Sequence, residues 1–398
     1  MRLAGIVAEY NPFHGGHAYH IALTRESATH TVAVMSGHFV QRGDIACMSK
    51  WARTEAALRC GCDLVLELPL PYCVAGAQTF ARGAVFILHA LGCVDILSFG
   101  CETDDLKLLQ AVSRAAYRPE LIQRMHPYLA QGRTFAAARE LAIREMNGEA
   151  VIAVLRAPNN ILSIEYLHAL DELGSPIAPL PVPRAGAAHD ETGSPSGVFA
   201  SASQLREMLR AGRLEEIRPY MPSTAFNILA WETAAGRAPC GIARMERALL
   251  ALLRRASPEE LAVLPDLSEG LEHRLFRAIR ESGSLDELYA RVKTKRYTLA
   301  RIRRLVLSAA LGIGRRDSEG TPPYIRVLGM NAAGEEILRT AKHTAALPLL
   351  TRAPKPGELS GRAARLWELE NRATDLFALA QPSPAPCGME YTTGMVKV

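Results

Sequence analysis

The chain has 398 residues, of which 48% are hydrophobic and 22% charged, with a formal net charge of +5. That balance excludes a disordered chain, and no stretch reaches the roughly 18 uncharged apolar residues of a membrane span. The length suggests two or three domains, and a modest positive charge does not by itself assign a polyanionic partner.

The first half alternates strands and helices. Arg2 to Ala8 reads as a buried strand, His17 to Ser27 as a helix, and Thr31 to Met35 as a second short strand. Lys50 to Cys60 is helical, Asp63 to Leu68 is a strand ended by Pro69, and Gln78 to Leu91 is a helix closed by Gly92. Val94 to Phe99 is the next strand. This alternation predicts an α/β fold, a Rossmann-like doubly wound parallel sheet. Ligands of such sheets lie at the carboxyl ends of the strands, so the turns after Ala8, Met35, Leu68 and Phe99 are expected on one edge.

Residues 104–150 read as a helical insertion. The pair Asn159-Asn160 is expected to open the helix Ile161 to Leu173, because Asn is a preferred cap. Ile177 to Val182 is a strand, residues 184–197 a polar loop, and Ser201 to Ala211 a Ser-capped helix. A boundary near 220 separates this region from a mainly helical remainder, 221–398, with a short α/β element at about 322–345 and a mobile tail from Gln381.

The N-terminus lacks a basic region followed by a long apolar stretch, so no signal peptide is expected and the chain reads as cytoplasmic. The cysteines (Cys47, Cys60, Cys62, Cys73, Cys93, Cys101, Cys240 and Cys387) show no Cys-x2-Cys spacing. They read as buried thiols, and no resident metal site is expected.

Chemistry concentrates at His14-Gly15-Gly16-His17, between the first strand and the first helix. Glycines let the backbone approach an anion, the helix N-terminus receives it, and two histidines three apart can reach one spot. In nucleotidyl transfer, charge builds on the α-phosphate and on the leaving pyrophosphate, where imidazole and backbone donors stabilise it. His20 lies one turn further on. In the loop after the second strand, Ser36, Arg42 and Lys50 are candidate contacts for phosphate or acetate, against the reading of a solvated loop. Ser98-Phe99-Gly100 ends a strand with room for a base or ribose. Ser201 and Arg206 form another candidate anion site at a helix start. The run 291–304 carries Lys293, Lys295, Arg296, Arg301, Arg303 and Arg304 and no acid. It reads either as a solvated face or as a contact to a nucleic-acid backbone.

Together these stretches resemble the nucleotidyltransferases with the His-Ile-Gly-His signature. More closely, they resemble the tRNA(Met) cytidine acetate ligase family. The resemblance rests on Glu-Tyr-Asn-Pro-Phe-His-Gly-Gly-His at 9–17, Met-Ser-Gly-His-Phe-Val-Gln-Arg-Gly at 35–43, Lys50-Trp51, Ala-Pro-Asn-Asn-Ile-Leu at 157–162 and Thr-Lys-Arg-Tyr-Thr at 294–298. It implies an ATP-dependent ligase: acetate and ATP give acetyl-adenylate, and N4 of the wobble cytidine of elongator tRNA(Met) takes the acetyl group. The implied catalytic residues are His14 and His17. The implied ATP site comprises Val7, Ala8, Glu9, Tyr10, Asn11, Pro12, Phe13, His14, Gly15, Gly16, His17, Ala18, Tyr19 and His20, with Gly100, Asn160 and Arg184. Mg2+ is expected with the ATP phosphates. The chain departs from the family pattern at Gly15, Ser163, Gln204-Leu205 and Cys47-Met48, and none of these removes a histidine or arginine of the site. Two other readings share part of this pattern: a nucleotidyltransferase with a small-molecule acceptor, and a non-catalytic RNA-binding protein.

Overall fold

The computed structural model describes residues 1–156, 158–184, 199–267, 270–295 and 297–398. Strand β1 (Leu3–Ala8) runs into helix α1 (Gly15–Ser27), which returns the chain to β2 (His30–Ser36). A small hairpin, β3 (Phe39–Val40) and β4 (Asp44–Ile45), precedes helix α2 (Lys50–Arg59). Then come β5 (Leu64–Leu68), β6 (Ile96–Cys101) and β7 (Ala178–Pro183). Much later β8 (Ile325–Met330), β9 (Leu349–Leu350) and β10 (Val396–Lys397) follow.

The sheet order is β10-β8-β5-β2-β1-β6-β7, with β9 also on β8. Strands β5, β2, β1, β6 and β7 are mutually parallel, and β8 joins β5 antiparallel. The chain winds outward from β1 through β2 and β5, then crosses to β6 on the other side of β1. That reversal opens a crevice at the carboxyl ends of β1 and β6, the place where an open α/β sheet binds its ligand.

The strands alternate between two cores, as a sheet covered on both faces requires. Val32, Val34, Leu64 and Leu66 pack with the helix Ala77–Leu91 on one face. Ala33, Met35 and Val65 pack with α2 and the helix Ser223–Ala234 on the other. Gly5 permits the close approach of the first layer, since a Cβ there would lie 2.6 Å from Leu88.

Between β6 and β7 the chain forms the helices Leu106–Ala116, Pro119–Ala130, Phe135–Asn147 and Glu149–Arg156. Two expectations for the second half need correction. The α/β element at 322–345 belongs to the N-terminal sheet, because β8 hydrogen-bonds β5. The tail is anchored rather than mobile: β10 pairs with β8, and Gln381 and Glu390 are both buried.

What anchors it is a buried ion cluster. Lys50 Nζ lies 2.5 Å from Glu67 Oε1, 2.5 Å from Glu390 Oε1 and 3.3 Å from Glu370 Oε1. Arg326 pairs with Glu67 at 3.4 Å and with Glu390 at 2.5 Å. Burial, then the neighbouring Glu67, pushes the Glu370 carboxyl up to about 8. With Glu370 protonated, two cations face two carboxylates and the cluster is neutral, the condition under which such burial is tolerable. No helix among the described residues is long and apolar enough to cross a membrane.

Candidate active site

The turn from β1 to α1 is shaped by Tyr10, a non-glycine residue in the left-handed region at φ 46. Such a conformation costs on the order of 1 kcal/mol and needs support from its surroundings. Support comes from burial: the Tyr10 ring packs 4.9 Å from Phe13 and 5.0 Å from His17. A fully buried arginine braces the same turn. Arg53 donates to the backbone oxygens of Glu9 (2.6 Å), Ser36 (3.1 Å), Met48 (3.3 Å) and Gly37, tying the end of β1 to the end of β2.

His14 is the N-cap of α1. Its Nδ1 accepts the Gly16 N–H at 3.1 Å, while the His14 N–H donates to His17 Nδ1 at 3.2 Å. Gly16 must be glycine for this, since a Cβ there would lie 2.9 Å from the His14 ring. A neutral imidazole has one N–H, so a ring that accepts at Nδ1 carries its proton on Nε2. Both rings are held neutral. Burial, then Arg184 and Arg206, brings His14 down to about 3. Burial, then His14, His20 and Arg184, lowers His17 well below its usual range. The pair therefore presents two Nε2–H donors with fixed tautomers.

The crevice is a cavity of about 320 Å³. Of the expected residues, Val7, Ala8, Glu9, Tyr10, Asn11, His14, Gly16, His17, Tyr19, His20, Arg42, Gly100, Arg184, Ser201 and Arg206 line it. Among the described residues its charged lining is Arg42, Arg184 and Arg206 against Glu9. An excess of guanidinium groups over carboxylate suits a polyanion.

Ser201 caps the helix Ala202–Arg210 in a reciprocal box with Gln204, so Gln204 has a local role there. Arg206 donates to the Asn11 backbone oxygen at 2.7 Å and to Ser203 Oγ at 3.1 Å, fixing this helix to the β1–α1 turn. At Gly100 a Cβ would meet only Arg184, at 3.7 Å. The backbone does not demand glycine there, and the missing side chain widens the cavity.

Pro12, Phe13, Gly15 and Ala18 shape the turn from behind and do not line the cavity. The helix expected to open at Asn159-Asn160 begins earlier and spans Pro158–Glu172. Asn160 is buried and exchanges two hydrogen bonds of 3.0 Å with Glu102, pinning the turn after β6; Leu162 and Tyr166 line the cavity from this helix instead. Ser36 and Lys50 need correction. Both are fully buried outside the cavity, and Lys50 is committed to the ion cluster, so neither contacts a phosphate or acetate there. The turn after Leu68 also leads to that cluster, where Leu70 N–H donates to Glu370. Sequence reasoning missed Gln41, Phe80, Phe199 and the Arg53 brace. The aromatic residues carried no signal distinguishing them from core.

The basic run is divided. Lys293 and Lys295 are exposed. Arg301 donates to the Asp266 backbone oxygen at 2.6 Å and lies over Tyr297. Arg303 lies over Tyr289. Arg304 donates to the Gln41 backbone oxygen at 3.4 Å and pairs with Asp266 at 3.7 Å. The Gln41 N–H in turn donates to Glu9 Oε1 at 2.8 Å. The helix Leu299–Leu311 therefore abuts the loop that walls the cavity, and a Cβ on Gly43 would lie 2.6 Å from Arg303. Arg296 and residues 185–197 of the polar loop lie outside the described residues.

A crevice at the β1–β6 reversal, a paired-histidine helix cap and a cationic lining define a nucleotidyltransferase of the HIGH class. The HIGH Nucleotidyl Transferase family model matches residues 1–390. The chain is 37% identical to the tRNA(Met) cytidine acetate ligase of Thermoanaerobacter sp. (strain X514), covering 100% of both chains. It is 39% identical to that of Thermotoga maritima over 86% of this chain and 85% of the other. Apo Thermotoga maritima TmcAL superposes with a TM-score of 0.94 at 34% identity, covering 100% of both chains. The same protein bound with alpha-thio ATP gives 0.92 at 35% identity, over 100% of this chain and 99% of the other. The chain belongs to the tRNA(Met) cytidine acetate ligase family.

Proposed function

We propose that this protein is an ATP-dependent acetate ligase that acetylates the wobble cytidine of elongator tRNA(Met) at N4. The observation that carries the reading is the reciprocal His14–His17 cap, which aims two neutral Nε2–H donors into a cationic cavity at a helix N-terminus. Support also comes from the names and the ATP-analogue complex of the relatives.

Acetate is a poor acyl donor because its carbonyl carbon carries a carboxylate oxygen. Attack of that oxygen on the α-phosphorus of ATP gives acetyl-adenylate and pyrophosphate. Charge develops on the α-phosphate and on the leaving group, where His14, His17, Arg206 and the α1 N-terminus stabilise it. No serine or cysteine nucleophile is needed, since the nucleophile is the substrate's own carboxylate. The cytidine amine then attacks the activated carbonyl, and AMP leaves.

Mg2+ would come with ATP and would screen its phosphates. Among the described residues no cluster of three His, Cys, Asp or Glu side chains gathers for a resident ion. Among the described residues Glu9 is the one carboxylate in the cavity lining, a donor set that would fit an ion held mainly by phosphates and water. The tRNA approaches over Lys293, Lys295, Arg301 and Arg303, on the far side of the 41–43 loop. ATP and tRNA as substrates make the cytoplasm the site of the reaction.

Incubation with ATP, labelled acetate and tRNA(Met) tests this reading. Label appears in N4-acetylcytidine if it holds. A folded protein that binds ATP but leaves the tRNA unlabelled would contradict it.

A further inference from the structure

His20 and His17 occupy successive turns of α1 and both line the cavity, yet their hydrogen bonds run in opposite senses. His20 Nε2 lies 2.9 Å from Ser98 Oγ, and Ser98 Oγ lies 2.7 Å from Thr24 Oγ1. Thr24 Oγ1 donates to the His20 backbone oxygen at 2.8 Å. A hydroxyl has a single proton. Thr24 directs its proton to the carbonyl, so Ser98 is the donor between the two hydroxyls. Ser98 then has only lone pairs to offer His20, and His20 donates from Nε2. Burial, then Arg184, brings His20 down to about 4, so the ring is neutral and its Nδ1 is bare. His14 and His17 thus present donors, and His20 presents an acceptor.

The chemistry of the nucleotide decides what that acceptor meets. Ionised phosphates and acetate carry no proton to donate, so a donor must come from the ribose hydroxyls or the adenine amine. Three residues along a helix rise about 4.5 Å. With the α-phosphate at His14 and His17, its two covalent neighbours are the ribose and the β-phosphate, and of these only the ribose carries a donor to match the acceptor one turn on. Gly100, two residues beyond Ser98 and on the same side of β6, adds no side chain to the space.

We propose that His20 Nδ1 accepts a hydrogen bond from a ribose hydroxyl of the bound nucleotide, and that Ser98 and Thr24 are positioning residues that fix its tautomer. The inference rests on the reading of the cavity as an ATP site.

The test compares ATP, 2′-deoxy-ATP, 3′-deoxy-ATP and the triphosphate of purine riboside, which lacks the amine. Binding is measured to the wild-type chain and to Ser98→Ala, Thr24→Val, Ser98→Thr and His20→Phe. The wild type should bind one deoxy analogue about tenfold or more weakly than ATP, as expected where a buried acceptor loses its donor. Ser98→Ala and His20→Phe should lose that preference by binding ATP more weakly, and Ser98→Thr should restore it. Thr24→Val should reduce the preference without abolishing nucleotide binding. A wild type indifferent to both deoxy analogues would overturn the proposal. So would Ser98→Ala that keeps the preference, or a loss of affinity confined to the purine analogue. Melting temperatures identify any variant that fails to fold, and the conservative Ser98→Thr then carries the comparison. Failure of the wild type to bind ATP itself would instead remove the underlying reading.

Discussion

His14 and His17 fix one another. The His14 N–H donates to His17 Nδ1 at 3.2 Å, and their rings lie 3.8 Å apart, while His14 Nδ1 is occupied by Gly16. Two residues that supply chemistry also form the helix cap: the Nδ1 atoms hold the cap, and that leaves the Nε2–H groups as the donors.

Replacement of either histidine should therefore show two effects. His17→Asn should slow AMP formation by about 100- to 1,000-fold, the cost typical of a lost donor at a developing oxyanion. His14→Ala should do the same and also weaken the cap, by about 1 kcal/mol. Single-turnover release of AMP, with melting measured on the same samples, separates the two. A His17→Asn enzyme of near wild-type rate would remove His17 from the reaction.

The neutral histidines predict the acid side of the stability profile. His14 sits at about 3 and His20 at about 4 in the folded chain, against about 6.5 when unfolded. Below pH 6.5 the unfolded chain binds more protons, so stability is lost as pH falls toward the folded values. The slope is up to about 1.4 kcal/mol per pH unit for each buried ring. Denaturant titrations of the ligand-free protein at pH 7 and pH 5 should show this loss. His20→Phe should show a shallower loss, and an unchanged slope would mean that His20 titrates normally.

Lys50 acts on the fold and not on ATP. Lys50→Ala leaves Glu67 and Glu390 facing each other in the core and should destabilise by about 3–5 kcal/mol. The folded fraction should keep the wild-type KM for ATP. The raised Glu370 has the opposite pH sign to the histidines: stability falls as pH rises from its unfolded value toward about 8, because the folded chain holds the proton longer. Glu370→Gln should flatten that alkaline decline. A raised KM for ATP in Lys50→Ala, at unchanged stability, would return Lys50 to the phosphate site.

Much of this was legible locally. The β1–α1 junction with His14 and Gly16, and the Ser201–Gln204 cap, are each built from residues a few positions apart, where spacing carries geometry. Lys50 was misread because its partners lie 17, 320 and 340 residues away along the chain. A lysine after a Gly-rich loop looks the same whether it faces solvent or a carboxylate from the far terminus. Strand β8 is legible as a strand, but its antiparallel seat on β5 has no local signal, because residues 69–324, with β6 and β7 among them, intervene. The proline-rich tail read as mobile, and the buried Glu390 that holds it down gains meaning only beside Lys50 and Arg326.

The divided basic run predicts divided phenotypes. Replacing Lys293, Lys295 and Arg303 by alanine should weaken tRNA binding and reduce its salt dependence, by about one unit of slope per lost phosphate contact. Acetyl-adenylate formation should be spared. Arg304→Ala should disturb both steps, because Arg304 and Glu9 hold Gln41 from opposite sides. Filter binding across a salt series and AMP release on the same variants check this. Unchanged tRNA affinity in the triple variant would assign the run to a solvated face.

Acetyl-adenylate formation in the His14–His17 crevice requires the acetate carboxylate to attack the α-phosphorus. Acetate labelled with heavy oxygen in both positions, reacted with ATP and tRNA(Met), tests it directly by mass spectrometry of the products. One labelled oxygen should appear in AMP for each acetyl group delivered to cytidine, with none in pyrophosphate. Unlabelled AMP, or label in ADP or inorganic phosphate, would contradict the account.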